Sequence, residues 1–250
     1  MKIHSLEPNG IYEEKYPNGQ LKRRFTYTNG ELDGPYEEWW DNGQVAERSN
    51  YKNGKLDGLY EKWYSNGQLH YKKTYKNDNL DGLYEKFDFN GNLEERANFK
   101  NGKQDGFVES LYENGQLKSR VNYKDGIPDG KVEIWYEDGK LMERATHKDG
   151  ALDGLREKLY KDGRLLGRSH FKNGKRDGLS ELWDEDGQLV GRANWKNGKM
   201  DGLSEGWHKN GKVWFRATYK DDNLNGLAET WDENGNLIES INYKNGRRID

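Results

Sequence analysis

Apolar and polar positions alternate in short runs along this chain, and the runs restart on a fixed period. In "GLYEKW" at 58–63 and "LHYKKTYK" at 69–76, bulky and polar side chains take turns, with Asn66-Gly67 between the two runs. Alternation with period two marks strands, and Asn-Gly between two such runs is a strong hairpin signal. Glycine recurs at Gly10, Gly34, Gly58, Gly82, Gly106, Gly130, Gly154, Gly178, Gly202 and Gly226, always 24 residues apart. The chain is therefore ten copies of one element, residues 10–249, after a lead-in at 1–9.

Numbering each repeat from that glycine gives two turn signals. The first is at positions 9 and 10, as in Asn18-Gly19, Asn42-Gly43 and Asn66-Gly67, with Asp138-Gly139 as a variant. The second is near the end, as in Asn29-Gly30, Asn53-Gly54 and Asn101-Gly102. Glycines this frequent exclude a 3.6-residue pattern. The expectation is an all-β fold: an elongated, twisted antiparallel meander of ten 24-residue hairpin repeats. A single layer with an apolar face must curl, double back or meet a partner.

Register decides which side chains share a face. A two-residue loop would set position 4 against position 15, pairing Glu61 with Lys72 and Glu85 with Arg96. A type I turn followed by a left-handed glycine would set position 6 against position 12, pairing Trp63 with Leu69 and Trp183 with Leu189. Pro17, just before Asn18, suits the second residue of a type I turn. We prefer the second register, because it gathers positions 2, 6, 12, 16 and 18 on one aromatic face. Those are Leu59, Trp63, Leu69, Lys73 and Tyr75 in the third repeat, and Leu179, Trp183, Leu189, Ala193 and Trp195 in the eighth.

Two columns stand out within this frame. Trp39, Trp63, Trp135, Trp183, Trp207 and Trp231 share position 6 and read first as structural core; with Trp195 they are also the candidate partner-binding surface, since aromatics dominate interface hot spots. Position 4 is Glu in all ten repeats and position 15 is basic in nine, Ser240 being the exception. Glu61, Glu85, Glu181 and Glu205 with Arg96, Arg144, Arg192 and Arg216 represent this candidate polar ladder. A tenfold carboxylate reads as structural, because catalysis needs no tenfold copy; ligand contact at position 4 and an anion-binding strip along position 15 are the alternatives. On the aromatic face the carboxylate requires hydrogen-bond partners.

The repeated turns, aromatic positions, Asn-Gly pairs and leucines in units such as "GLYEKWYSNGQLHYKKTYKNDNLD" resemble the bacterial variant of the MORN repeat, as in YwqK-like proteins that carry an antitoxin label. The resemblance covers residues 10–249. It implies stacked β-hairpins that bind other molecules without chemistry of their own, and the antitoxin label implies a toxin partner. Asp78 and Asp222 depart from the pattern at the second turn's glycine, and Pro128 interrupts "GIPDG".

Charge and composition narrow the partner class. The formal net charge is −3 from 41 basic and 44 acidic residues. That balance gives no reason to expect nucleic acid or an anionic membrane. There is no cysteine, so thiolate sites and disulfides are excluded. No apolar run approaches the roughly 20 residues of a membrane span, and "MKIHSLEPNG" lacks a signal peptide's apolar core, so a cytoplasmic location is expected. "NDNLDG" at 77–82 and "DDNLNG" at 221–226 match part of a calcium loop, with Asp88 and Asp232 at its twelfth position. No helix flanks them, and turns are expected instead. The five histidines share no ligand spacing, and no nucleotide or nucleophile motif occurs. We expect no enzyme, cofactor or metal.

Three readings remain: a protein-binding repeat, an immunity protein or antitoxin masking a toxin or effector, and a scaffold that pairs with itself as a homodimer or lies against a membrane. Gly167 and Gly191 replace larger side chains at position 14. Glycine within a strand marks a bend or a close approach, so residues 154–201 are expected to carry the sharpest bend or the partner.

Overall fold

The computed structural model describes residues 9–249. Every regular element among them is a strand, and no helix long and apolar enough to cross a membrane occurs there. The described residues fall into two compact halves that divide between Ile127 and Pro128.

In the N-terminal half the order is β1 (Gly10–Lys15), β2 (Leu21–Thr28), β3 (Glu31–Trp39), β4 (Val45–Lys52), β5 (Lys55–Leu56), β6 (Gly58–Trp63), β7 (Leu69–Lys76), β8 (Asn79–Phe87), β9 (Leu93–Lys100), β10 (Lys103–Leu111) and β11 (Leu117–Lys124). Each strand pairs antiparallel with the next, except that β5 and β6 both pair with β4 and not with each other. The C-terminal half repeats the plan through β12 (Ile127–Trp135), β13 (Leu141–Lys148), β14 (Ala151–Leu159), β15 (Leu165–Lys172), β16 (Lys175–Trp183), β17 (Leu189–Lys196), β18 (Lys199–Trp207), β19 (Val213–Lys220), β20 (Asn223–Trp231), β21 (Leu237–Lys244) and β22 (Arg247–Arg248). Within each half every substantial strand contact is between ladder neighbours.

The turns follow from their residues. At the first, Tyr64 N–H donates to Gln68 O and Gly67 N–H to Tyr64 O, both at 2.9 Å. Gly67 has φ +84°. This is a type I turn closed by a left-handed glycine, and Pro17 occupies its second residue. At the second turn Asn53 and Gly54 have φ +49° and +74°, the mirror-image turn that matches strand twist. Asp78 holds the glycine's place at φ +66°. Its Oδ1 accepts the Leu56 N–H at 2.8 Å, which offsets the backbone strain.

These second turns are stitched together across repeats. Gly102 N–H donates to Leu80 O at 2.7 Å. The Asp at position 24 accepts the next turn's Asn N–H, as Asp81 does from Asn101 and Asp177 from Asn197, both at 3.0 Å. The recurrent Asp-Gly junction is thus a built contact between hairpins.

The preferred pairing of position 6 with position 12 holds: Trp63 faces Leu69 and Trp183 faces Leu189. The alternative pairing of Glu61 with Lys72 and Glu85 with Arg96 holds too. Both occur because a β-bulge lies between them, with Lys62 opposite Tyr71 but Trp63 opposite Leu69. The residue at position 13 is the extra one, and a bulge redirects the side chains beyond it.

The bulge corrects the expected faces. Positions 2, 4, 6, 12, 15 and 17 share one face, and 3, 5, 14, 16 and 18 share the other. Lys73, Tyr75, Ala193 and Trp195 therefore lie opposite the Trp63 and Trp183 column, not beside it. Few side chains are buried: Phe25, Ala46, Ala97, Ala145, Ala217 and Ile241 are the apolar ones among the described residues.

Glycine at position 1 is required by its backbone. Gly82 has φ +126°, and a Cβ there would lie 3.0 Å from Thr74 Cβ. Gly82→Ala is expected to cost about 2 kcal/mol, on the scale of other L-residues forced to positive φ. A lower urea midpoint would show this; an unchanged midpoint would contradict the backbone requirement.

Candidate functional site

The first face is a lattice of three side-chain types. Because position 15 pairs with position 4 of its own repeat and of the next, glutamate and arginine alternate across the strands. Glu109 accepts from Arg96 at 2.5 Å and from Arg120 at 2.7 Å. Glu205 accepts from Arg192 at 2.5 Å and from Arg216 at 2.8 Å. Glu181 pairs with Arg168 at 2.6 Å, and Arg144 reaches Glu157. Of the expected ladder, Glu61 and Glu85 instead face Lys72 and Arg96 across the strands.

The same arginines cover the tryptophans. Arg48 lies 5.8 Å from the Trp63 ring, Arg168 5.4 Å from Trp183, Arg192 5.5 Å from Trp207, Arg216 5.9 Å from Trp231 and Arg24 5.8 Å from Trp39. Trp135 pairs with Leu141 as the other tryptophans pair with their own position 12. Each guanidinium thus bonds a carboxylate and stacks on an indole. Glu205 is only 2% exposed. Burial pushes the Glu109 and Glu205 carboxyls up, but the bonds from two arginines outweigh it, and both end below the usual glutamate value.

Position 7 adds a clip between repeats. Tyr64 donates its hydroxyl to Phe87 O at 3.1 Å, Tyr136 to Leu159 O at 2.9 Å and Tyr160 to Trp183 O at 3.0 Å. Asp88, Asp184 and Asp232 hold this position elsewhere and cap their own turns; Asp88 Oδ1 accepts the Asn90 and Asn92 N–H groups at 2.8 Å.

The second face differs between the halves. In the N-terminal half it is filled by rings: Tyr12 stacks on Phe25 at 5.8 Å, Phe25 on Tyr36 at 6.1 Å, and Tyr71 meets Tyr84 at 6.2 Å. The Lys73 ammonium lies 4.4 Å from the Tyr71 ring and 5.5 Å from Tyr84. Burial lowers its pKa. Tyr60 donates to Glu47 at 2.9 Å, and burial raises the pKa of both groups.

In the C-terminal half the rings give way to a cavity of about 470 Å³. It is lined by Gly167, Ser169, Gly191, Ala193, Ser180, Leu182, Ser204, Trp195 and Phe215, together with charged residues that include Arg176, Glu181 and Glu205. Position 3, Tyr in the first four repeats, is Ser180 and Ser204 here. The expected special segment, 154–201, supplies most of these residues. Trp195 is the one tryptophan of the expected surface that lines the cavity, with the Arg176 guanidinium 4.8 Å from its ring. The change from Tyr to Ser at position 3 is visible in the sequence, but only the bulge places it on the same face as Gly167 and Gly191.

The sequence matches the MORN repeat variant family at residues 8–29, 32–53, 56–77, 80–101, 104–125, 128–149, 176–197, 200–221 and 224–245. The chain belongs to this family. The matches pass over 152–173, the period that carries Arg156 and Gly167. No curated protein matches the chain. Solved structures that match it in part of their own length include "Crystal Structure of TcdB2-TccC3-TEV" at 12% identity and "Crystal Structure of TcdB2-TccC3" at 11%, each with a TM-score of 0.20. The alignments cover 94% of this chain and 15% of those, so the MORN repeat chain spans a small part of their length.

The arginine–glutamate lattice has a pH signature. A carboxyl held below its unfolded value contributes stability that is full above the unfolded value and is lost as pH falls through the folded one. Stability is therefore expected to drop below the usual carboxylate range. Glu205→Gln should cost about 2 kcal/mol at neutral pH, as for a lost charged hydrogen bond, and flatten that acid dependence. Denaturant midpoints of both proteins at pH 7 and pH 3 check this.

Proposed function

We propose that this MORN repeat chain is a non-enzymatic protein-binding module and that the partner sits on the second face of the seventh to ninth repeats. The observation that carries this reading is the cavity, where Ser180 and Ser204 replace the position-3 tyrosines of the first four repeats and Gly167 and Gly191 replace larger side chains at position 14. Beside it Leu182 is 50% exposed, although an apolar side chain on a sheet face is ordinarily covered by a second layer. The position-6 tryptophans are engaged with arginines inside the lattice. They support the platform, and Trp195 meets the partner.

Immunity or antitoxin function is one form of this proposal, with a toxin as the partner. Self-association through the same face is the competing form, and solution mass separates them.

The test uses the purified full chain as bait in its host lysate, reconstitution with the recovered protein, and light scattering of the chain alone. A stoichiometric partner that binds the purified chain and is lost with Leu182→Glu is the expected result; at half exposure, that substitution leaves the fold intact. No partner, with a mass of two or more chains, would overturn the proposal in favour of a scaffold.

A further inference from the structure

Resting on that reading, the chemistry of the cavity narrows what the partner presents. Where the chain fills position 3 of this face itself, it does so with phenol rings, as with Tyr12, Tyr36, Tyr60 and Tyr84. In the eighth and ninth repeats that position holds Ser180 and Ser204, beside Gly167, Gly191 and Ala193. The volume left at position 3 is therefore that of a ring, flanked by Leu182 and Trp195. Its size lies within the range of pockets that enclose ligand groups.

Charge around the cavity is one-sided. Arg156 and Lys158 share one carboxylate, Glu143, at 2.7 and 3.8 Å. Arg176 lies over Trp195 without a carboxylate partner among the described residues. Arg168 and Arg192 also line the cavity and are paired with Glu181 and Glu205, so five cations stand against three anions, in a chain whose net charge is negative. The Trp195 indole N–H and the Ser180 hydroxyl are buried without a hydrogen-bond partner, a state that is costly unless something accepts from them. An incoming carboxylate would pair with Arg176 and draw it from the indole.

We infer that the cavity is a socket for an aromatic side chain flanked by carboxylates, presented by an acidic segment of another protein. The ring replaces the chain's own missing rings. The carboxylates meet Arg176 and the Arg156–Lys158 wall.

The test is a titration of the ¹⁵N-labelled full chain with the peptide acetyl-Asp-Phe-Asp-amide, following the Trp195 indole N–H resonance. Acetyl-Asp-Ala-Asp-amide and acetyl-Lys-Phe-Lys-amide are the controls. The acidic aromatic peptide is expected to shift the resonance saturably and to bind at least tenfold tighter than either control. Arg176→Glu should abolish that preference. The double substitution Ser180→Tyr with Ser204→Tyr, which restores the residue of the first four repeats, should abolish binding in a folded chain. Equal binding of the alanine peptide, or undiminished binding to the filled chain, would overturn the socket. The filled chain also separates this inference from the broader one: a lysate partner it retains fully would sink the socket and leave protein binding standing.

Discussion

One extra residue per hairpin, at position 13, sets the chemistry of both faces. Without it, positions 6 and 12 could not oppose each other in the same hairpin that pairs position 4 with position 15. With it, Glu, Arg and Trp fall on one side, where each arginine answers a carboxylate and an indole together. Tyr, Phe and Ala fall on the other. A sheet without a second layer must supply its own cover, and the two faces do so differently. One uses charged stems laid over indoles; the other uses a row of rings.

The two covers differ in how much change they tolerate. The first depends on Glu at position 4, held from both sides as Glu109 and Glu205 are, so an altered residue leaves neighbouring arginines without their carboxylate. The second is a packing of independent side chains. Tyr60 can donate to Glu47, Lys73 can sit among tyrosines, and Ser180 can replace a ring without disturbing the backbone ladder. Sequence variation therefore collects on the second face. This is where the cavity lies.

Much of the fold was legible because glycine marks positions that other residues resist. The period, the type I turn with its left-handed glycine, and the mirror-image second turn all follow from Asn-Gly spacing. The role of Pro17 was legible for the same reason. The bulge was not, because position 13 carries no signature: it is His70 in one repeat, Val190 in another and Trp214 in a third. That silence made two registers look exclusive and placed Trp195 with the position-6 tryptophans. Gly167 and Gly191 line the cavity, since missing side chains leave space whichever face they are on.

The claim that the second face meets the partner is tested most directly by site-specific photo-crosslinking within one strand. Leu179 and Leu182 both lie in β16, but on opposite faces. A photoreactive residue is placed at each in turn, and the chain is irradiated with its captured partner. The account expects a partner adduct from position 182 and none from 179. An adduct from 179 alone would contradict it and return the binding surface to the tryptophan face.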